Sequence, residues 1–187
     1  MKQVLEAAKE IQDFFDENGW LYCFIGGIAL QRWAIPRNTN DADLTLITGI
    51  GSEGEFIKTI LAKFKSRIID DPMGFFLPRR IVLINIGGVG IDISLGALSF
   101  EESAAERSSY FEFLPNISLK TCTAEDLIVF KAFANRLKDW ADIDSILSIQ
   151  AKLDWKYITE QLTPLTELKE EPEIMETLNK LRKQNNR

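Results

Sequence analysis

The chain has 187 residues, of which 45% are apolar, and a net charge of −6 with a pI near 4.9. That is enough for one well-filled core, or for one domain carrying a smaller helical lobe. The acidic balance excludes a large basic face, so extensive nucleic-acid binding is disfavoured and only a local patch stays open. With no histidine and two cysteines lacking ligand spacing, ordinary zinc sites and a histidine general base are excluded as well.

Residues 2–17 read as an amphipathic helix with Val4, Leu5, Ala8, Ile11 and Phe15 on one stripe. They contain no signal-peptide core, and no apolar run in the chain is long enough to span a bilayer. The expected compartment is the cytoplasm, with no membrane partner. A strand at 21–25 contains Cys23, a core position. A helix at 27–34 follows, then a loop from Pro36 to Asn40 and a strand at 42–47. Ser52 is a helix N-cap for 53–65. Short strands are expected near 67–70 and 75–78, with Arg79 and Arg80 as solvated strand-end residues. Clearer strands at 81–86 and 90–95 flank Gly87-Gly88, the signature of a tight antiparallel hairpin.

Beyond Phe100 the character changes. Residues 101–109 read as helix and loop, and a short strand pair surrounds Pro115-Asn116. Cys122 precedes a helical stretch at 124–136 whose capping signature is Thr123-Ala124-Glu125-Asp126. Further helices are expected at 139–150, 154–162 and 171–184, with Pro164 and Pro172 as breaks. The polar residues from Lys180 onward are expected to fray. The fold class is α/β (α+β): a small mixed sheet with helices on one side and a C-terminal helical lobe. The expected division is 1–115 and 116–187.

Residues 26–46, GGIALQRWAIPRNTNDADLTL, carry most of the chemistry. Asp41 and Asp43 alternate with Ala42 and Leu44, so both carboxylates leave one face of a strand, roughly 6.5 Å apart. Two such carboxylates repel unless a cation sits beside them, and hard oxygen donors suit Mg²⁺ or Mn²⁺. Gly26 and Gly27 lie at a helix start, where a backbone without β-carbons approaches a phosphate closely. Asp92 alternates with Ile91 and Ile93 on a later strand. If the two strands are neighbours, Asp41, Asp43 and Asp92 form a metal-binding trio able to support an in-line phosphoryl displacement. Other readings remain open: carboxylates on a solvated sheet edge, or a sugar-nucleotide transferase that uses Asp-x-Asp.

The glycine pair, Asp41-Ala42-Asp43 and Asp92 together resemble the nucleotidyltransferase superfamily that includes DNA polymerase β. Arg37-Asn38-Thr39-Asn40-Asp41-Ala42-Asp43-Leu44 is similar to the R-x-T-x-D-x-D-h motif of small bacterial members, among them abortive-infection nucleotidyltransferase toxins. Where that family usually has glycine-serine, this chain has glycine-glycine. A second block, Lys131, Arg136, Lys138-Asp139 and Asp142-Ile143, resembles the helix those proteins carry after the catalytic sheet. The resemblance implies an Mg²⁺-dependent (or Mn²⁺-dependent) transfer of NMP from an NTP to an acceptor, releasing pyrophosphate. The acceptor is left open among an RNA end, a protein hydroxyl and a small molecule.

In that reading Asp41, Asp43 and Asp92 are the catalytic metal ligands, and Gly26, Gly27, Arg37 and Thr39 bind the nucleotide. Lys131 lies on the apolar stripe of its helix with Leu127. By spacing alone it either snorkels or offsets charge on the triphosphate, and the resemblance implies the second, a catalytic role. Arg136 and Asp139 have the spacing of a helical ion pair, while Asp139 and Asp142 are candidates to orient the lysine or to help bind an acceptor. Trp33 is a candidate for nucleotide contact. The resemblance also implies a cognate antitoxin or toxin partner. The alternative is a non-catalytic nucleotide-binding or toxin-antitoxin partner protein that retains the fold.

Overall fold

A computed structural model describes residues 1–185, which fall into two compact units. Among these residues the first comprises Met1–Ile28 and Asn38–Cys122, the second Ala29–Arg37 and 123–185.

The first unit is built on a seven-stranded sheet. In chain order it contains α1 (Lys2–Glu17), β1 (Tyr22–Phe24), the start of α2 (Gly26–Trp33) and β2 (Asp41–Ile47). Then come α3 (Glu53–Lys63), β3 (Lys65–Ser66), α4 (Pro72–Arg79), β4 (Ile81–Ile86) and β5 (Val89–Gly96). The unit closes with α5 (Ser99–Arg107), β6 (Ser109–Leu114) and β7 (Ile117–Thr121). The strand order is β3-β4-β5-β2-β1-β7-β6, so β2 lies between β5, to which it is parallel, and β1, to which it is antiparallel.

Alternation on the central strands decides the two faces. Ala42, Leu44 and Leu46 of β2 join Ile91, Ile93 and Leu95 of β5, and Val82, Ile84 and Ile86 of β4, in the core. The α1 stripe of Val4, Leu5, Ala8, Ile11 and Phe15 closes on that core. Each large side chain buried this way contributes roughly 1.5–3 kcal/mol. The residues in between, Asp41, Asp43 and Asp92 among them, leave the opposite face. At the far end of the strands α5 reaches that second face. A β-carbon at Gly96 would lie 3.3 Å from Cβ of Glu101 and 3.0 Å from Oγ1 of Thr45. The β4–β5 hairpin turns through Gly87 and Gly88, whose φ of +58° and +90° are what a two-residue turn of this kind requires.

Two expected elements are different in the structure. Residues 75–78 are not a strand but the middle of α4. Asp71 Oδ1 accepts from the Gly74 N–H at 3.0 Å and Pro72 opens the helix. A cap followed by proline in the first turn is a helix-start signal that outweighs the apolar run Phe75-Phe76-Leu77. The strand expected at 67–70 is the two-residue β3, ending at Ser66. Arg80, too, is not a solvated strand-end residue. Its guanidinium donates to Glu53, to the Gly49 carbonyl at 2.9 Å and to the Leu95 carbonyl at 2.6 Å.

Among the described residues the second unit holds 29–37 together with α6 (Ala124–Ala134), α7 (Leu137–Ile149), α8 (Trp155–Lys169) and α9 (Glu173–Asn185). The capping box forms as read. Thr123 Oγ1 accepts from the Asp126 N–H at 3.2 Å, and Asp126 Oδ2 accepts from the Thr123 N–H at 3.3 Å. Segment 29–37 is tied to α7, with the Ile35 N–H donating to Ser145 Oγ at 3.1 Å and Gln150 Nε2 to the Trp33 carbonyl at 2.9 Å. Pro164 does not break the chain but lies inside α8. The buried stripe Ile158, Leu162, Leu165 and Thr166 outweighs the roughly 3 kcal/mol that an interior proline costs. Of the tail expected to fray, Lys180 to Asn185 belong to α9, and residues 186 and 187 lie outside the described residues. Among the described residues no helix is long and apolar enough to cross a membrane.

Candidate active site

Asp41 and Asp43 occupy the first and third positions of β2. The parallel register with β5 sets Asp43 opposite Asp92 and Thr45 opposite Ser94. Neighbouring strands lie about 4.8 Å apart, so Asp43 and Asp92 stand side by side on one face. The neighbouring-strand condition set from sequence is met.

The glycine pair closes on the same face. Gly26 opens α2 with φ +56°, a conformation L side chains rarely adopt. A β-carbon there would run into the Asp43 carboxylate, with Cγ only 2.6 Å away. One at Gly27 would lie 2.5 Å from Oγ1 and 2.8 Å from Cβ of Thr39. Thr39 in turn donates its hydroxyl to Asp41 Oδ1 at 2.9 Å. The space the glycines leave is therefore filled by the next motif along the chain. Gly26 with Asp43, and Gly27 with Thr39 and Asp41, interlock into one cluster.

Arg67, just after β3, is a residue that sequence reasoning missed. Its guanidinium donates to Asp92 Oδ1, and its backbone N–H to the Leu83 carbonyl at 2.9 Å. A single arginine 25 positions from its partner leaves no local signal, and only the pairing of β4 with both β3 and β5 brings the two together.

The donor set can be tested against a divalent cation. Three hard carboxylates on one sheet face suit Mg²⁺ or Mn²⁺, and the Asp43–Asp92 register places two of them on adjacent strands. In the present side-chain arrangement the trio does not converge. Asp41 turns to Thr39 and Asp92 to Arg67, and among the described residues no three acidic or cysteine side chains are gathered at metal-holding distance. In residue type and strand placement the donors fit.

In the second unit Lys131 does not snorkel. It is 5% exposed, and Nζ donates to Asp142 Oδ2 at 2.6 Å and to Asp139 Oδ1 at 3.4 Å. Arg37 forks onto the same Asp142, with Nε to Oδ1 at 2.8 Å and a second nitrogen to Oδ2 at 2.9 Å. Arg136 pairs with Asp139 at 2.5 Å, as its spacing implied. Burial alone would raise the Asp142 carboxyl, but hydrogen bonds and charge from Arg37 and Lys131 override it and hold the group below the usual aspartate range. Sequence reasoning named each of these residues but not the Arg37–Asp142 fork, which joins positions 105 residues apart. Trp33 is half-buried, with the Arg32 guanidinium 4.2 Å from the centre of its ring.

Residues 9–181 match the family described as "Nucleotidyl transferase AbiEii toxin, Type IV TA system". The chain belongs to this AbiEii family. As an AbiEii-family protein it is a nucleotidyltransferase, in agreement with the resemblance drawn from the two motif blocks. Comparison with curated proteins gives no match. Among solved structures it is similar to the lincosamide antibiotic adenylyltransferase LnuA bound to lincomycin. The TM-score is 0.50 at 13% identity, over 78% of this chain and 97% of that one, a likeness of fold. It also aligns with an antigenic nucleotidyltransferase-like protein from Paracoccidioides brasiliensis at TM-score 0.47 and 14% identity, over 95% and 91% of the two chains. The antibiotic-resistance factor ANT(2'')-Ia aligns at TM-score 0.47 and 16% identity, over 97% and 90%.

Proposed function

We propose that this AbiEii-family chain uses Mg²⁺ or Mn²⁺ to transfer a nucleoside monophosphate from an NTP to an acceptor hydroxyl. A bond forms between the acceptor oxygen and the α-phosphorus, the bond from that phosphorus to the bridging oxygen breaks, and pyrophosphate leaves. The observation that carries this reading is the interlocked cluster of Gly26, Gly27, Thr39, Asp41 and Asp43 beside Asp92. A solvated sheet edge has no need of two glycines fitted against its carboxylates.

Asp41, Asp43 and Asp92 would hold the cation, which on binding supplies charge neutralisation at the phosphoryl group. Strand register sets Asp43 and Asp92 on adjacent strands of one sheet face. Asp92, on the strand beside Asp43, is assigned to take the acceptor's proton. Gly26 and Gly27 are assigned to the phosphates through backbone N–H groups at the start of α2. Arg37, Thr39 and Lys131 complete the proposal as nucleotide-side residues, on the strength of the two motif blocks. A cognate antitoxin belongs to the same reading, supported by the family's description as a toxin of a toxin–antitoxin system.

The test is to incubate the protein with each of the four α-labelled NTPs, Mg²⁺ and a cell extract as acceptor source. Label should pass from one NTP into extract RNA, protein or small molecules with matching pyrophosphate release. Asp41→Asn and Asp43→Asn should abolish it. Undiminished transfer by either variant would sink the metal assignment.

A further inference from the structure

Arg67 holds one carboxylate of the trio, that of Asp92, and its placement is specific. The chain turns out of β3 with its N–H on the Leu83 carbonyl, and the side chain then crosses β4 to reach Asp92 on β5. Its path runs over Gly90, on the same face and two residues before Asp92. A β-carbon there would come within 3.0 Å of the guanidinium. Both partners keep about a third of their side-chain surface in solvent, 34% for Arg67 and 31% for Asp92. A pair that exposed contributes little to folding, and its carboxylate stays within reach of a dissolved cation.

We infer that Arg67 is a positioning residue for Asp92, and that its guanidinium and a divalent cation compete for that one carboxylate. This rests on the metal reading of the trio proposed above. Arg67 stands where a cation must come if Asp92 is to join Asp41 and Asp43. A cation that draws on all three carboxylates meets the guanidinium already on Asp92 Oδ1, and the two charges oppose each other there. Asp41 carries no comparable charge contact. Its bonded partner is the neutral Thr39 hydroxyl.

The experiment measures Mn²⁺ binding by electron paramagnetic resonance or calorimetry without nucleotide, so that turnover plays no part. Arg67→Gln should bind Mn²⁺ about three- to fivefold more tightly than the wild type, the scale of a partly exposed ion pair. Arg67→Lys, which keeps the charge, should stay near the wild-type value. With Asp92→Asn as background, Arg67→Gln should change nothing. Unchanged or weakened binding in Arg67→Gln, or a gain that survives Asp92→Asn, overturns the inference. A measurement on the wild type guards against a variant that fails to fold. Titrating Mg²⁺ should shift the Arg67 Nε–H resonance, and a resonance that does not move overturns the inference equally. If Asp41→Asn and Asp43→Asn leave Mn²⁺ binding intact, the metal reading itself falls. If they abolish it while Arg67→Gln has no effect, only the role of Arg67 falls.

Discussion

Gly26 shows how one atom's absence organises the site. Its φ of +56° and the Asp43 carboxylate occupying the place of its β-carbon are two separate reasons for glycine. Gly26→Ala should therefore lower stability by about 1–3 kcal/mol through strain and should abolish transfer by pushing Asp43 off its register position. Denaturant unfolding beside the labelled-NTP assay checks both, and a stable, active Gly26→Ala protein would reduce the pair to an ordinary helix start. The glycine pair was legible in the sequence as a place of close backbone approach at a helix start. That side chains of Asp43 and Thr39 fill the space they leave was not legible. It depends on β1 and β2 pairing antiparallel, with the Ile25 N–H on the Asp43 carbonyl at 2.9 Å.

At the scale of elements, α6 and α7 meet around a charged knot. Lys131 on α6 stands against Asp139 and Asp142 on α7, and both aspartates are at most 5% exposed. A surface lysine could be exchanged for methionine with little loss of stability. Here Lys131→Met removes a charged hydrogen bond from two buried carboxylates that keep Arg37 and Arg136, and should cost about 1.5–3 kcal/mol. Adding Asp142→Asn to Lys131→Met should cost less than the two single losses summed, because each change removes the other's unpaired charge. Additive losses in urea melts would mean that the two groups do not interact.

The depressed Asp142 carboxyl has a pH signature of its own. Its stabilisation is present above the ordinary aspartate value near 3.9 and is lost as pH falls through the lower folded value. The wild type should thus lose stability more steeply below about pH 4 than Asp142→Asn does. Parallel acid-limb slopes for the two proteins would remove Asp142 from the account. Periodicity placed Lys131 on an apolar stripe, where a snorkelling stem and a buried ion pair look alike. Knowing which required the helix that packs opposite.

Over the whole molecule, the sheet's strand order turns two distant motifs into neighbours. Asp43 and Asp92 are 49 positions apart, yet they are register partners because β5 returns parallel to β2 after α3, β3, α4 and β4. If the trio binds metal and nucleotide, wild-type protein at 100 times the dissociation constant should gain roughly 2.7 kcal/mol of stability from Mg²⁺ with NTP. Asp43→Asn should gain little. A thermal midpoint that rises equally in both proteins would place nucleotide binding away from these carboxylates.

Alternation of apolar and polar residues by itself determined the faces of β2, β4 and β5, the α1 stripe and the Gly87-Gly88 hairpin. The turn and strand periods that decide these features are local. The same locality located Asp41, Asp43 and Asp92, since each sits at a polar position of an alternating strand. Local pattern misled where a cap competed with an apolar run, at 75–78. It misled again where packing held a proline inside a helix, at Pro164. Only the tertiary structure decided that Arg67 reaches Asp92, that Thr39 and Asp43 fill the glycine spaces, and that Arg37 and Lys131 share Asp142. Each of these contacts joins residues on different elements. Long-range pairing sets them, and neither spacing nor composition within a segment encodes which strand or helix will stand opposite.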